Sequence, residues 1–291
     1  MKILITGANG QLATSLIAHL APLGSVVALT RQDFDLCHWE ECFATLNKLQ
    51  PDLIVNAAAY TAVDRAENER DLAFQINAIA PTRLAQYCHN NHCALIHYST
   101  DYVFNGQKNT PYLEQDPTEP INIYGQSKRQ GEIGILESNC AALIFRTSWV
   151  YSLVGHNFLK TMLKLGMERD ELRIIDDQRG SPTSTESIAR ATALILSKKP
   201  THLPIVDYLA QYRGIYHMTN QSDTTWYGFA QAIFALRPAR AQLTAISTEQ
   251  YPTPAKRPAM SCLDNSKLKQ TFDITLPHWH DALIACLTQS S

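Results

Sequence analysis

The chain has 291 residues, of which 45% are hydrophobic and 18% are charged. That length accommodates one or two domains, and that apolar content excludes a wholly disordered chain. The 25 Lys and Arg residues against 27 Asp and Glu residues leave a net charge of −2. Since no basic block stands out, the charge argues against a nucleic-acid partner.

The first half of the chain alternates short apolar runs with stretches whose apolar residues recur at helical spacing. Strands are predicted at residues 2–6, 25–29, 53–57, 94–99 and 142–147. Helices are predicted at residues 11–20, 39–49, 71–90 and 124–137, with a loop at 108–120. This alternation predicts an α/β fold, a Rossmann-like doubly wound parallel sheet with helices on both faces.

The regular alternation of strands and helices ends after Tyr151. The predicted elements there, in chain order, lie at residues 157–169, 172–175, 187–196, 215–218, 226–236, 244–247 and 279–287, with a proline-marked loop before the last of them. They indicate a smaller α/β substrate-binding lobe interleaved with the last pieces of the sheet. We expect a dinucleotide-binding domain of residues 1–151 plus 184–218, and a second domain of residues 152–183 plus 219–291.

No targeting pattern stands out. The opening MKILITGANG has one Lys and an apolar run that breaks at Gly7, unlike a secretory signal. No stretch approaches the roughly 20 apolar residues of a membrane helix. The seven cysteines are an odd number, which favours free thiols. The sequence therefore predicts a cytoplasmic protein with no membrane partner.

A glycine-rich turn follows the first predicted strand. Gly7 permits a tight turn, Gly10 lets a pyrophosphate approach the backbone, and Ala13 allows close packing of helix against strand. The N–H groups at the start of the following helix attract phosphate. The order of strand, turn and helix predicts a dinucleotide site, with a purely structural turn as the alternative.

The end of the second predicted strand bears on the choice of cofactor. An acid there would bind ribose hydroxyls and favour NAD. Arg31 stands there instead and could face a 2′-phosphate, which favours NADP. Asp33 and Asp35 follow and could still serve a ribose or adenine, and Arg31 could simply be a surface arginine.

Tyr124 and Lys128 lie at positions i and i+4 of a predicted helix, so their side chains share one face. A nearby ammonium is expected to lower the pKa of the phenol, so that Tyr124 exchanges a proton with a substrate oxygen at neutral pH. Thr100 follows the strand at 94–99, at the sheet edge where ligands bind. Its hydroxyl could hydrogen-bond a reacting carbonyl; Ser99 is the competing hydroxyl, and a turn cap is the alternative role of Thr100.

Eight motifs spread over nearly the whole chain share one family pattern. They are GANGQL at 7–12, NAAAYTAVD at 56–64, YSTDYVF at 98–104, YGQSK at 124–128, RTSWVY at 146–151, DQRGSPT at 177–183, TWY at 225–227 and YPTPAKRP at 251–258. Together they resemble the dTDP-4-dehydrorhamnose reductase family of the extended short-chain dehydrogenase/reductase superfamily. The resemblance implies NADPH-dependent reduction of the C4 keto group of dTDP-4-dehydro-β-L-rhamnose in the synthesis of cell-surface polysaccharide precursors, with NADH left open as a second cofactor.

The resemblance also implies roles for individual residues. Thr100, Tyr124 and Lys128 take the places of the family's catalytic triad. With the residues derived above, the expected cofactor-binding set is Gly7, Gly10, Gln11, Leu12, Arg31, Asp35, Leu36, Ala57, Ala58, Ala59, Tyr60, Thr61, Tyr98, Tyr124 and Lys128. The expected substrate-binding set is Thr100, Asp101, Tyr124, Trp149 and Arg257, of which Arg257 is chosen on charge as a phosphate partner.

One departure from the family concerns a metal. Some members are dimers that share a magnesium through acidic side chains, but the matching early-helix position here is Ser15, although Glu186 is available. The sequence therefore predicts no metal site, and it leaves a monomer or a homodimer open.

Two alternative functions share the fold. One is another nucleotide-sugar ketoreductase or epimerase; a 4,6-dehydratase would carry a second acid where Tyr102 follows Asp101. The other is a non-catalytic NADP-binding regulatory subunit, similar to that of methionine adenosyltransferase. The complete set of Thr100, Tyr124 and Lys128 favours an enzyme.

Overall fold

The computed structural model describes residues 1–288. Its strands are β1 (Lys2–Thr6), β2 (Ser25–Leu29), β3 (Leu53–Asn56), β4 (Ala94–Thr100), β5 (Ala142–Thr147), β6 (Val150–Tyr151), β7 (Glu171–Ile175), β8 (Arg179–Gly180), β9 (Thr183–Ser184), β10 (Gly214–His217), β11 (Thr224–Thr225) and β12 (Gln242–Ile246). Its α-helices are α1 (Gln11–Leu20), α2 (Trp39–Leu49), α3 (Val63–Ala66), α4 (Arg70–Phe74), α5 (Ala80–Asn90), α6 (Ile123–Glu137), α7 (Phe158–Glu168), α8 (Thr185–Ser197), α9 (Ile205–Ala210), α10 (Trp226–Leu236), α11 (Ser266–Phe272) and α12 (Trp279–Thr288).

Six strands form one parallel sheet in the order β10-β5-β4-β3-β1-β2. The order in which successive strands are added to the sheet reverses at β1, because β2 pairs with one edge of β1 and β3 pairs with the other. In doubly wound sheets, ligands bind beyond the carboxyl ends of the strands at such a reversal. The predicted Rossmann-like fold is confirmed, and the glycine turn after β1 lies at the reversal.

Both faces of the sheet are buried. Ile3 and Ile5 of β1 pack with Leu16 of α1 in one apolar cluster, which α8 and α9 complete. Leu4 lies between Ile3 and Ile5 and packs on the opposite face, in a second cluster with Leu46 of α2. Because successive side chains of a strand point to opposite faces, a strand covered on both sides needs an unbroken apolar run.

A third apolar cluster lies outside the sheet. It is centred on Phe229 and Ile233 of α10, with α7 and α12 packed beside them. β7 and β12 pair in parallel against α10. These elements form the predicted smaller lobe after Tyr151. The division of the chain into two domains stays a prediction, and residues 289–291 of the second range lie outside the described residues.

The predicted helix at 71–90 is interrupted. α4 ends at Phe74, a π-helical turn occupies Gln75–Ile79, and α5 begins at Ala80. Pro81 has no N–H to give to the carbonyl of Asn77, its ordinary partner one turn earlier, and the N–H of Ala80 reaches back five residues to Gln75 instead. Proline inside the helical pattern therefore widens one turn without ending the helix.

The remaining differences concern short elements. The long loop predicted before the final helix contains α11, and the sequence pattern missed α3 and α9. β3 ends one residue earlier than predicted, at Asn56, and β4 continues one residue further, to Thr100. Among the described helices, none is long and apolar enough to cross a lipid bilayer.

Candidate active site

The turn after β1 fits a dinucleotide phosphate. Gly7 has φ of +69°, and a Cβ there would lie 2.9 Å from the Cα of Ala58, so only glycine fits. Gly10 donates its N–H to the carbonyl of Gly7 at 2.7 Å and precedes Gln11, the first residue of α1. No side chain caps the start of α1. Its first N–H groups therefore face the turn with the positive end of the helix dipole, as a pyrophosphate requires.

The side chain of Gln11 connects this turn with the second half of the chain. Its Nε2 donates to the carbonyl of Val150 at 3.3 Å, and its Oε1 accepts from Asn157 at 3.1 Å. Leu12 is half-buried beside it and packs on the core. The side-chain amide of Gln11 is therefore engaged within the protein, and a phosphate contact through its backbone N–H stays a prediction.

The segment after β2 carries the residues expected to face the adenosine. Arg31 has a side chain that is 73% exposed, with Nε 3.5 Å from Oδ2 of Asp35. Asp35 also accepts from the N–H of Cys37 at 3.0 Å, while Asp33 accepts from Thr30. The guanidinium is thus exposed to solvent apart from its contact with Asp35, and its binding of a 2′-phosphate stays a prediction. Leu36, by contrast, is a core residue with 4% exposure.

The segment 57–61 runs beside the glycine turn after β3 ends. Ala57, Ala58, Ala59 and Tyr60 are half-buried and Thr61 is exposed. The N–H of Ala58 donates to Oγ1 of Thr6 at 3.2 Å. Asn77, in the π-helical turn, binds both the N–H and the carbonyl of Tyr60 at 2.9 Å. The segment is therefore fixed in place from both sides at the sheet reversal.

Thr100, Tyr124 and Lys128 come together at the carboxyl end of β4. Thr100 is the last residue of β4; its Oγ1 donates to Asp101 at 3.0 Å and accepts from the N–H of Tyr102 at 3.2 Å. Tyr124 is the second residue of α6, whose start is capped by the side chain of Asn122. The Thr100 hydroxyl interacts with the Tyr124 phenol. Thr100 therefore both caps a turn and faces Tyr124.

The expected direction of the Tyr124 pKa shift is wrong for this structure. Burial raises the pKa of Tyr124 to about 12, and the contact with Thr100 only partly opposes it. Lys128 is itself buried, and burial lowers its pKa to about 8. The sequence argument counted the charge of Lys128 but not the removal of both groups from water, which favours their neutral forms.

Lys128 points into the sheet. Its Nζ donates to the carbonyl of Tyr98 at 2.6 Å and lies 3.2 Å from Nε2 of His97. Tyr98 was expected to bind cofactor, but its side chain is buried in the core and its hydroxyl contacts Thr192 of α8 at 2.9 Å. On the side that faces Lys128, Tyr98 presents its backbone carbonyl, which accepts the hydrogen bond from Nζ.

Asp101 is buried directly behind Thr100. Its exposure is 2%, and its two carboxylate oxygens accept from Thr100 at 3.0 Å and from Ser148 at 3.2 Å. Burial raises the pKa of Asp101 to about 6, although hydrogen bonds from Ser261, Thr100 and Ser148 oppose the shift. In this arrangement Asp101 orients the Thr100 hydroxyl, and its contact with substrate stays a prediction.

Trp149 lies between the sheet and the smaller lobe. Its ring stacks on Trp226 with centroids 3.5 Å apart and planes 7° apart. Its backbone has φ of +47°, and a Cβ on Gly180 would collide with the indole. One face of Trp149 is therefore covered by Trp226, and the predicted stacking with a sugar requires the other face or the edge.

Arg257 already has a carboxylate partner. Its Nη1 and Nη2 lie 3.0 Å and 2.7 Å from the two oxygens of Asp64, and Nη1 also donates to Thr253 at 2.6 Å. The sequence argument for Arg257 considered charge alone, whereas the fold brings Asp64 to the guanidinium, and the contact with a phosphate stays a prediction. A phosphate contact at Arg257 would have to share these N–H groups.

The positions that bear on a metal are engaged by other groups. Ser15 lies 2.7 Å from the hydroxyl of Thr185, and Glu186 lies 2.6 Å from Nε2 of His19. Within residues 1–288, no group of three or more His, Cys, Asp or Glu side chains is placed to hold a metal ion.

Sequence reasoning missed three residues that shape the site. His97 contacts Lys128, Asn77 holds Tyr60, and Trp226 stacks on Trp149. A signal existed for His97, because it is a polar residue within an otherwise apolar buried strand. Nothing in the local pattern indicates the partners of Asn77 or Trp226, which are distant in sequence.

The whole chain matches one family. The family model described as the RmlD substrate binding domain matches residues 1–291. A dTDP-4-dehydrorhamnose reductase of Burkholderia thailandensis is 45% identical, covering 99% of this chain and 98% of its own length. One of Escherichia coli K12 is 42% identical, covering 96% of this chain and 94% of its own length.

Solved structures agree. A dTDP-4-dehydrorhamnose reductase of Clostridium acetobutylicum superimposes with a TM-score of 0.92 at 37% identity, covering 100% of this chain and 99% of its own. One of Bacillus anthracis, solved in complex with NADP, gives a TM-score of 0.91 at 33% identity, with 99% of both chains covered. The chain therefore belongs to the dTDP-4-dehydrorhamnose reductase family.

Proposed function

We propose that this protein is an NADPH-dependent oxidoreductase that reduces the C4 keto group of dTDP-4-dehydro-β-L-rhamnose to give dTDP-β-L-rhamnose. The observation that carries the proposal is the convergence of Thr100, Tyr124 and Lys128 at one end of the sheet, beside the turn that fits a dinucleotide. Relatives that are 40–45% identical over nearly the whole chain bear the name of this reductase. The product is a precursor of cell-surface polysaccharide, such as the O-antigen of lipopolysaccharide.

The cofactor site would be formed at the sheet reversal. Gly7, Gly10 and the first N–H groups of α1 would hold the pyrophosphate, and Arg31 the 2′-phosphate. The segment 57–61 would line the ribose and nicotinamide side. NADPH supplies a hydride, and the protein fixes its position relative to the sugar. NADH remains a second candidate cofactor.

Tyr124 is the proposed proton donor. Because burial keeps the pKa of the phenol at about 12, Tyr124 holds its proton at neutral pH and can give it to the oxygen that develops negative charge at the sugar C4. The phenol is thus protonated when reduction begins, but its raised pKa makes it a weaker acid, so proton transfer relies on the strongly basic oxygen that hydride addition produces. Thr100 has its hydroxyl held by Asp101 and Tyr102, so it can orient the same oxygen.

The remaining proposals concern the contacts with the substrate, the cellular location and the oligomeric state. We propose that Asp101, Trp149 and Arg257 contact the sugar nucleotide, and that the smaller lobe holds the nucleoside diphosphate. The bonds of Gln11 to Val150 and Asn157 support a site that uses both halves of the chain. A cytoplasmic location follows from the proposed use of a soluble nucleotide sugar and dinucleotide, and a monomer and a homodimer both remain open.

A turnover assay tests the proposal. dTDP-4-dehydrorhamnose is generated in the same cuvette and NADPH oxidation is followed by absorbance. We expect oxidation that requires the sugar nucleotide, with dTDP-β-L-rhamnose as the product by NMR. A different reduced or epimerised sugar would point to another nucleotide-sugar enzyme, and tight NADPH binding without turnover of any sugar nucleotide would point to the regulatory role.

A further inference from the structure

Four buried polar side chains form a continuous chain of contacts from the cofactor turn to Lys128. Oγ1 of Thr6 donates to Oδ1 of Asn56 at 2.7 Å, and Nδ2 of Asn56 lies 3.0 Å from Nδ1 of His97. Nε2 of His97 lies 3.2 Å from Nζ of Lys128. Each of the four is at most 2% exposed. They cross the sheet from β1 through β3 to β4 and end at α6.

The imidazole in this chain stays neutral. Burial and the neighbouring Lys128 hold the pKa of His97 well below its ordinary value. A neutral imidazole has one N–H donor and one bare nitrogen acceptor. When Nε2 accepts from a Lys128 ammonium, the proton must be on Nδ1 and donates to Asn56. When Lys128 is an uncharged amine, Nε2–H can donate to it and Nδ1 accepts.

Asn56 can serve both forms of the imidazole. Its amide presents an oxygen at one end and an NH₂ group at the other, and half a turn exchanges them. Thr6, on the other side of Asn56, carries a hydroxyl that can also donate or accept. From Asn56 to Lys128 the contacts can therefore run in either direction, whereas Thr6, which already accepts from the N–H of Ala58, gives up its donor contact with Asn56 in one of them.

We propose that His97 is a positioning residue for Lys128, and that it holds Nζ against the carbonyl of Tyr98 in both protonation states by exchanging its own tautomer. This inference rests on the proposed reductase, in which Lys128 stands beside Tyr124. His97 touches neither substrate nor cofactor; it acts through the place and the charge of Lys128.

The groups that bear on the charge of Lys128 come from three elements. β4 contributes His97 and the carbonyl of Tyr98, and α6 contributes Glu132. Glu132 favours the ammonium, but it is itself paired with Arg146 of β5 at 2.7 Å. Since the charge of Glu132 is largely balanced by Arg146, the ammonium depends on its direct contacts with the carbonyl of Tyr98 at 2.6 Å and with Nε2 of His97 at 3.2 Å, and of these two groups only His97 can change from acceptor to donor.

Two substitutions separate the two contacts of His97. The amide of Gln reaches the place of Nε2, so His97→Gln keeps an acceptor for Lys128. The amide of Asn reaches only the place of Nδ1, so His97→Asn keeps the contact with Asn56 and loses the contact with Lys128. His217→Asn is the matched control, because His217 is equally buried, lies on β10 and uses Nδ1 to contact the carbonyl of Asp264.

The first readout is the alkaline limb of the pH–rate profile, which follows loss of the Lys128 ammonium. We expect His97→Asn to move this limb to lower pH by about one unit, because loss of a hydrogen bond to the Lys128 ammonium favours the neutral amine. His97→Gln and His217→Asn should keep the limb of the wild type. Equal limbs in all four proteins, or an equal shift in His217→Asn, would overturn the proposal.

The second readout needs no turnover. ¹⁵N NMR of the wild-type protein reports which nitrogen of His97 carries the proton, with His97→Gln used for assignment. The proton should move from Nδ1 to Nε2 over the pH range in which Lys128 titrates, and a tautomer that stays fixed through that range refutes the inference. Absence of turnover in the wild type would instead refute the reductase and leave this test intact.

Discussion

We expect loss of the buried ion pair between Glu132 and Arg146 to lower the free energy of unfolding substantially. Arg146 is 1% exposed and Glu132 is fully buried. Two parallel hydrogen bonds of 2.8 Å and 2.7 Å join the guanidinium to both carboxylate oxygens. The pair fastens α6, which carries Tyr124 and Lys128, to β5 of the central sheet.

Glu132→Gln removes one charge and leaves the other in place. The amide keeps one oxygen for the guanidinium but turns an NH₂ group towards a second N–H donor. An unpaired buried charge typically costs about 3–5 kcal/mol. A domain has a free energy of unfolding of about 5–15 kcal/mol. We therefore expect Glu132→Gln to remove a large share of the stability and to lower the midpoint of urea unfolding accordingly.

The assay is equilibrium urea unfolding of the wild type, Glu132→Gln and a matched control. Glu69→Gln is the control, because one oxygen of Glu69 accepts two hydrogen bonds from the exposed Arg65, where solvent screens the charges and the loss should be far smaller. The double change Glu132→Leu with Arg146→Met should regain much of the loss. A loss below about 1 kcal/mol for Glu132→Gln would refute the reasoning, since it is well under that expected for an unpaired buried charge.

Three further changes test the site itself. Tyr124→Phe should lower kcat by about 100-fold or more while NADPH still binds, because only the general acid is removed; near-normal turnover with the sugar nucleotide would exclude Tyr124 as the acid. Arg31→Ala should weaken binding of NADPH more than of NADH in fluorescence titrations, and an equal effect on both would remove the 2′-phosphate argument. Gly7→Ala should abolish tight NADPH binding, because its Cβ meets the backbone of Ala58; calorimetry showing wild-type affinity would contradict the close approach.

Much of the fold was accessible from the sequence because its signals are local. The apolar runs of β1, β3 and β5, and that of β4 before His97, reflect burial on both faces, and the turn at Gly7 and Gly10 follows β1 directly. The Tyr124 and Lys128 pair needed only the spacing of a helix. These features depend on residues that are neighbours in sequence, so periodicity and turn chemistry predict them.

Sequence reasoning falls short where distant residues meet. Asp64 and Arg257 are far apart in sequence, so charge alone did not reveal that the two are paired. The pKa of Tyr124 depends on how much of α6 and β4 surrounds it, and burial is the largest cause of its rise. The π-helical turn follows from Pro81 and from the packing of α6 on Asn77, of which only the proline is visible in the sequence.

The stacked Trp149 and Trp226 give the protein an intrinsic optical reporter. The chain has four tryptophans, and two of them lie face to face at 3.5 Å across the junction between the sheet and the smaller lobe. Indoles so close and so nearly parallel interact electronically, so their near-ultraviolet circular dichroism and emission depend on their separation. With Trp39 and Trp279 replaced by Phe, any movement of the lobe against the sheet becomes visible in solution without an added label.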